Sequence, residues 1–231
     1  MVKNYTKEVL KARESARRMI EKEYPNLLEI LGLMDEYFVS LINRFKSVSG
    51  MGEVDNYKFA LIVSFMRTQL IISEHIVNSE IIEVSILERK QIELIARFSE
   101  IDKKLKNKEG LHKLIGKTPN VGNGNLNDNL RNMYGMLSEI THSSKTEPFA
   151  LLAENSNNGT IAYSVLPEYD STNTIVALNN HIQIFFDFFI YMLSFQKELF
   201  QDYTDSNDME LMHRLLDEGK LAKLSVFDRF E

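Results

Sequence analysis

The stretch IIEVSILERKQIELIARFSEI, residues 81–101, decides how the rest of the chain is interpreted. At about 100° per residue, its apolar side chains fall on every side of a helix rather than along one stripe. A helix that is apolar all round is normally enclosed by other helices. The stretch nevertheless carries Arg89 and Glu93, one helical turn apart. Because other helices should enclose this one, we expect both residues to be largely buried. A buried charge needs a partner, so we also expect both to be paired.

The composition limits the class of protein. The 231 residues are 44% hydrophobic, which is enough for a sizeable core, and no linker divides them, so the prediction is a single domain over residues 1–231. The chain has no cysteine, which excludes disulfide bonds, thiolate zinc sites and cysteine nucleophiles. Its first residues lack the apolar region of a secretory signal, so a cytoplasmic location is the default prediction.

Charge and apolar runs bear on the partners of the chain. The net charge of -6 disfavours a dedicated nucleic-acid binder, although residues 102–117 carry six lysines against two acidic residues. A local basic patch can still meet phosphate, so RNA remains a candidate partner. The two most apolar runs, residues 59–66 and 182–195, are shorter than the roughly 20 residues that cross a bilayer, which predicts no membrane partner.

Helical spacing of apolar residues predicts a mainly α fold, a bundle of about six to seven helices. The third helix and the central helix are predicted as two packed helices, because their apolar pattern is too broad for the heptad seam of one long rod. The last long helix is dense in aromatic residues, and any surplus apolar face on it would form a homodimer surface. The predicted helices cover residues 4–24 (charged and amphipathic), 25–47, 55–78, 81–101, 126–142, 171–203 and 208–218.

Two segments break the helical pattern. Residues 102–125 are rich in lysine, glycine and asparagine and predict a flexible basic loop with about one helical turn near residues 111–115. Residues 149–166 contain two runs of strand-forming residues joined by the turn-forming residues 155–159. This pattern predicts one small β-hairpin.

Familiar motifs for cofactors and metals fail on their spacing. Gly116, Lys117 and Thr118 resemble the end of a phosphate-binding loop, but Gly110 lies one residue too far upstream and no strand precedes it. The five histidines show no metal-ligand spacing among themselves or with paired carboxylates. The sequence therefore predicts neither a cofactor nor a metal.

A polar seam on the helix at residues 126–142 supplies partners for the central helix. Tyr134, Ser138 and His142 follow one another at four-residue spacing. We expect them to meet Arg89 and Glu93, either as a structural hydrogen-bonded cluster or as a ligand or catalytic site. In a catalytic site, His142 would transfer protons and Arg89 would stabilise developing charge at a phosphate, with Glu93 and Tyr134 beside them.

These residues also carry a resemblance. Arg89 and Glu93 in a buried helix, followed by the helix with Tyr134, Ser138 and His142, are similar to a group of uncharacterised bacterial all-helical proteins with R-x-x-x-E and Y-x-x-L-S-x-x-x-H helices. The resemblance covers residues 55–200 and implies a helical bundle in which the five residues come together.

A more distant resemblance is to the HEPN superfamily, helical bundles that include metal-independent ribonucleases of toxin and phage-defence systems. Its signature places an arginine shortly before a histidine on one helix. Here, seven residues separate Arg67 from His75 and ten separate Arg131 from His142, so both spacings depart from the signature.

Three functional hypotheses follow, and whether the protein is an enzyme stays open among them. The first is a non-enzymatic binding or regulatory module that self-associates. The second is a ribonuclease or related effector that uses His142, Arg89, Glu93 and Tyr134. The third is a small-ligand site in a polar cavity of the bundle.

Overall fold

The helices of the bundle follow the apolar spacing of the sequence. The computed structural model describes residues 4–46, 48–106, 110–122, 124–141, 153–155, 161–163, 165–222 and 224–226. Seven α-helices lie within them: α1 Tyr5–Glu23, α2 Leu27–Phe45, α3 Glu53–Val77, α4 Ile81–Lys106, α5 Asp128–Thr141, α6 Ser171–Leu199 and α7 Ser206–Leu221. The predicted mainly α-helical bundle is confirmed.

Side-chain caps set the starts of two helices near the site. Asn127 accepts a hydrogen bond from the backbone N–H of Leu130 (2.9 Å) at the start of α5. Asp170 accepts one from the N–H of Asn173 (2.7 Å) at the start of α6. Each cap satisfies a backbone N–H that has no partner inside the helix and is worth about 1 kcal/mol.

The break between α3 and α4 is sharp. Ser79 has a φ of +57°, in the left-handed region, so the right-handed helix cannot continue through it. The N–H groups of Ser79 and Glu80 donate instead to the carbonyls of Ile76 and His75, both at 3.0 Å. The two helices then pack against each other, as predicted.

Aromatic rings join α3, α4 and α6 at the centre of the core. Phe65 of α3 stacks on Phe188 of α6, with ring centroids 3.9 Å apart. Phe98 of α4 stacks on Tyr191 of α6 at 4.3 Å. Truncating a buried aromatic side chain to alanine costs about 3–5 kcal/mol. The same contiguous core contains residues from all seven described helices.

The aromatic side of α6 faces inward. Five of its phenylalanines are at most 3% exposed: Phe185, Phe186, Phe188, Phe189 and Phe195. The core of the single chain therefore buries the aromatic side of this helix, while Val176 and Ile190 stay exposed, and the homodimer surface on it stays a prediction.

α4 is less enclosed than its apolar pattern predicts. Ile86 is about half exposed, and it lies on the same side of the helix as the exposed residues Glu83 and Lys90. The opposite sides are fully covered, since Val84, Ile92 and Phe98 are inaccessible to solvent. The central helix is therefore packed on most of its surface and open along one strip.

The predicted loop over residues 102–125 begins too early, because α4 continues to Lys106. Lysine is a good helix former, so the lysines after Ile101 extend the helix. Beyond it, Leu111 and Leu114 are buried against Ile101, and a short 3-10 helix covers Leu111–Lys113. The backbone N–H of Asn120 donates to the Glu100 carboxylate (2.8 Å). The described part of this segment is thus attached to α4.

Two short strands lie in the region of the predicted hairpin. β1 Ala153–Asn155 pairs antiparallel with β2 Ile161–Tyr163. The second strand ends before Val165, which lies in a bend. Residues 149–152, 156–160 and 164 are outside the described residues, so the hairpin over residues 149–166 stays a prediction.

Two of the helices are longer than the apolar runs within them. By length and composition alone, α3 with 25 residues and α6 with 29 residues could cross a bilayer. The expectation of no membrane partner is not tested by this finding and stays a prediction. Core helices pass the same test, and α6 has most of its apolar side in the core.

Candidate functional site

The predicted cluster forms where α5 packs on α4. Arg89 and Glu93 are four residues apart and project from the same side of α4. Tyr134 and Thr141 are seven residues apart, about two turns, and share one side of α5. Three buried apolar residues hold α5 in place: Leu130, Met133 and Leu137.

The hydroxyl group of Tyr134 bridges the two charges of α4. It accepts a hydrogen bond from Arg89 Nη2 (3.0 Å) and donates one to Glu93 Oε1 (3.0 Å). Arg89 Nη1 donates to Thr141 Oγ1 (3.2 Å). Arg89 and Glu93 also form a direct ion pair with a distance of 3.4 Å between Nη2 and Oε1. We call these four residues the α4–α5 latch.

The latch is mostly, but not fully, shielded from water. The side chains of Arg89 and Glu93 are 28% and 25% exposed. The Arg89 guanidinium carbon lies 5.1 Å from the centroid of the Tyr134 ring, within the range of a cation–π interaction. Both residues are partly buried, and their partners come from the helix predicted at residues 126–142.

Ser138, one of the predicted members, does not join the latch in the structure. The Ser138 hydroxyl donates to the backbone carbonyl of Tyr134 (2.7 Å), inside its own helix. A hydroxyl within a helix often bonds to the preceding turn in this way. His142 lies outside the described residues, so its predicted role stays a prediction.

Thr141 is a latch member that the sequence reading missed. Its position two turns after Tyr134 is the signal that would have placed it on the same side of α5. The four-residue spacing of Tyr134, Ser138 and His142 does not include position 141.

The hydrogen-bonding groups of the latch are largely used within it. Tyr134 and Thr141 take two donors of Arg89, while Arg89 Nε is buried and has no partner among the described residues. Hydrogen bonds to charged groups contribute about 1.5–3 kcal/mol each. Such an arrangement fixes α5 on α4, which is a structural role.

A second polar group, which sequence analysis did not predict, is buried between α3, α4 and α6. Gln91 Nε2 donates to Gln69 Oε1 (2.7 Å), and Gln69 Nε2 lies 2.9 Å from His181 Nε2. Ser73 Oγ is 3.1 Å from the same ring nitrogen. His181 is fully buried, and burial lowers its pKa to about 3. The imidazole is therefore neutral and accepts from Gln69 through Nε2.

Glu88 is a third buried polar residue that sequence analysis missed. It lies on α4 one residue before Arg89, is only 1% exposed and hydrogen-bonds to Asn180 of α6. Burial raises the pKa of its carboxyl group well above the usual value. Helical spacing alone gave no signal for it, because a glutamate beside a broad apolar surface is usually solvated.

Comparison with known proteins adds no further constraint. No protein family, curated protein or solved structure matches the chain. In the part of the chain that the structure describes, no three His, Asp or Glu side chains are placed to hold a metal ion. The fold and the contacts define the class of protein: a mainly α-helical bundle with a polar latch.

Proposed function

We propose that this protein is a non-enzymatic helical binding module that associates with a second copy of itself. The observation that carries the proposal is a set of exposed apolar side chains beside the contact between α2 and α3. These side chains are between 39% and 56% exposed, and we call them the α2–α3 face: Val39, Ile42, Val63 and Leu70.

The aromatic contact between the two helices supports treating these residues as one face. The rings of Phe45 and Phe59 meet with centroids 5.1 Å apart. Ile42 lies about one turn before Phe45, and Val63 one turn after Phe59. α2 and α3 are joined by a short loop and run antiparallel. Val39 and Leu70 therefore both lie farther from the loop than Ile42 and Val63. Patches of exposed apolar side chains mark interaction sites.

The latch supports a binding role over catalysis. Arg89, Glu93 and Tyr134 hydrogen-bond to one another, so their polar groups stabilise the contact of α5 with α4. A catalytic acid or base must instead lie within hydrogen-bonding distance of a substrate proton. The latch gives the module a rigid frame for its binding surface.

Sedimentation velocity over a range of concentrations tests self-association. We expect the wild-type protein to sediment as a dimer and Ile42→Lys to sediment as a monomer with an unchanged circular dichroism spectrum. Ile190→Lys is the matched control, since Ile190 is an exposed apolar residue on α6, away from the face. A wild-type protein that is monomeric at every concentration would rule out self-association.

The second candidate function is a metal-independent ribonuclease. One observation favours it: Arg89 donates to Thr141, the residue directly before His142. Incubating the purified protein with mixed RNA tests it, with His142→Ala and the exposed His213→Ala as paired variants. Cleavage that His142→Ala abolishes and His213→Ala retains would replace the non-enzymatic proposal. Absence of cleavage at high protein concentration would remove the nuclease candidate.

The organisation proposed for the whole chain is one domain over residues 1–231 with a β-hairpin near residues 149–166. The contiguous core shared by all described helices supports the single domain. The antiparallel pairing of β1 with β2 supports the hairpin.

A further inference from the structure

A cleft of about 210 Å³ lies between α5, α6 and residues 224–226. Most of its polar lining consists of carboxamide side chains: Asn129, Asn132, Asn179, Asn180 and Gln183. Met133 and Met136 supply apolar lining. None of the described lining residues carries a charge, which favours an uncharged polar ligand.

Hydrogen bonds within the chain fix one wall of the cleft. Asn179 Oδ1 accepts from the backbone N–H of Val226 (2.9 Å) and from the hydroxyl of Ser225 (3.3 Å). Its Nδ2 donates to the Ile175 carbonyl (2.8 Å). Asn179 therefore attaches residues 224–226 to α6, and this wall is preformed.

A buried carboxyl group lies behind another wall. Asn180 lines the cleft and hydrogen-bonds to Glu88, which is almost inaccessible to solvent. Glu88 Oε1 is buried and makes no hydrogen bond to any described residue. A buried polar atom without a partner costs free energy unless something satisfies it. Glu88 thus orients Asn180 in the wall of the cleft.

The α5 side of the cleft presents open groups. Asn129 and Asn132 are exposed, and their carboxamides make no hydrogen bond within the described part of the chain. Met136 is exposed too. The flexible thioether of Met136 can pack on the face of a flat ring. The neighbouring carboxamides can then form hydrogen bonds with the edge of the ring.

We propose that this cleft binds an uncharged purine nucleoside through its base. A carboxamide presents a donor and an acceptor side by side, which is the pattern that pairs with the N6 and N7 edge of adenine. The volume of the cleft is about 210 Å³. This suits a bicyclic base and is below the roughly 300 Å³ of pockets for larger ligands.

The lack of charge among the described lining residues favours a nucleoside over a nucleotide. Phosphate is usually held by arginine, lysine or a set of backbone N–H groups, and no cationic residue is among the described residues that line this cleft. This inference goes beyond the proposed function, because the cleft is built from α5 and α6 whereas the α2–α3 face lies on other helices.

Isothermal titration calorimetry with adenosine tests the proposal. We expect saturable binding by the wild-type protein and at least tenfold weaker binding by the double variant Asn129→Ala, Asn132→Ala. Both side chains are exposed and unbonded among the described residues, so the fold should be unaffected, which circular dichroism checks. Asn43→Ala, an exposed asparagine on α2, is the matched control and should bind as the wild type does.

Two further ligands separate the alternatives. We expect adenosine monophosphate to bind no more tightly than adenosine, and glucose not to bind. Tighter binding of the monophosphate would overturn the choice of an uncharged ligand, and equal binding of glucose would overturn the choice of a base. No saturable adenosine binding at millimolar concentration, or equal binding by the double variant, would overturn the site itself. Because sedimentation measures self-association independently, failure here leaves that proposal intact.

Discussion

The hydroxyl group of Tyr134 joins two opposite charges of α4. Removing it in Tyr134→Phe keeps the ring but leaves Arg89 and Glu93 without their bridging partner. We expect the free energy of unfolding to fall by about 1–2 kcal/mol, because hydrogen bonds to charged groups are among the stronger ones. Urea denaturation of both proteins measures the difference.

Ser138→Ala is the matched control for Tyr134→Phe. Its hydroxyl bonds to the backbone of its own helix and does not contact the latch. We expect a change below about 0.5 kcal/mol, as for most substitutions away from such features. If Ser138→Ala destabilises the protein as much as Tyr134→Phe, the bridging role of Tyr134 is refuted.

The buried carboxyl group of Glu88 makes stability depend on pH. Its folded-state pKa is raised above the usual 4.5, so the folded protein keeps a proton that the unfolded chain has lost. The free energy of unfolding therefore falls as the pH rises above about 4.5. Glu88→Gln cannot ionise, so we expect its stability relative to the wild type to increase between about pH 5 and about pH 8.

Urea denaturation of the wild type and Glu88→Gln across this pH range provides the measurement. His181, whose pKa burial lowers to about 3, makes the stability of both proteins fall as the pH drops below 6.5, so its effect cancels in the difference. A stability difference that stays constant with pH would show that Glu88 ionises normally in the folded protein.

The latch illustrates what residue-level sequence reading can predict. Arg89 and Glu93 stood out because they interrupt an apolar stretch, and Tyr134 stood out because it continues a polar seam. Gln69, Gln91 and His181 gave no such signal. Uncharged polar residues on a heavily apolar helix are compatible with either burial or exposure, and only the packing of three helices decides between them.

At the scale of elements, a buried ion pair attaches α7 to α2. Arg44 binds Asp208 through both terminal nitrogens, and Asp208 also accepts from Tyr203 (2.7 Å) and Gln196 (3.2 Å). Asp208 is buried. We expect Asp208→Ala to lower the free energy of unfolding by about 3 kcal/mol or more, because it removes the carboxylate that pairs with the partly buried guanidinium of Arg44.

A surface pair between the same two helices is the control for Asp208→Ala. Arg214 and Glu36 are about half exposed and meet at 3.3 Å. Glu36→Ala should change stability by less than about 1 kcal/mol. Hydrogen exchange should show loss of protection in α7 for Asp208→Ala alone. Equal protection of α7 in both variants would contradict its attachment through Asp208.

Element boundaries were predictable where a cap or a break fixed them. Asn127 and Asp170 mark the starts of α5 and α6, and Ser79 interrupts the helical conformation between α3 and α4. The end of α4 was not predictable in this way. Lysines favour both helices and solvated loops, so the basic residues after Ile101 did not reveal that the helix continues to Lys106.

At the scale of the whole molecule, the aromatic residues show that the sequence does not predict which apolar sides of the helices stay exposed. Their density on α6 predicts a core helix on which any surplus apolar face would form a dimer surface, and the core buries five of its phenylalanines. Exposed apolar residues lie on α2 and α3, and also on α6 at Val176 and Ile190. Helical spacing shows that a side is apolar, whereas the arrangement of neighbouring helices determines which apolar sides remain uncovered.

The absence of cysteine permits a direct test of self-association through the α2–α3 face. Arg67 is exposed on α3 between Val63 and Leu70, so Arg67→Cys carries a single spin label at the face. Double electron–electron resonance then measures the distance between labels on two copies. We predict one narrow intermolecular distance distribution in the labelled protein and its loss when Ile42→Lys is added. A labelled protein without dipolar modulation, or a distribution that Ile42→Lys leaves unchanged, would contradict the proposed interface.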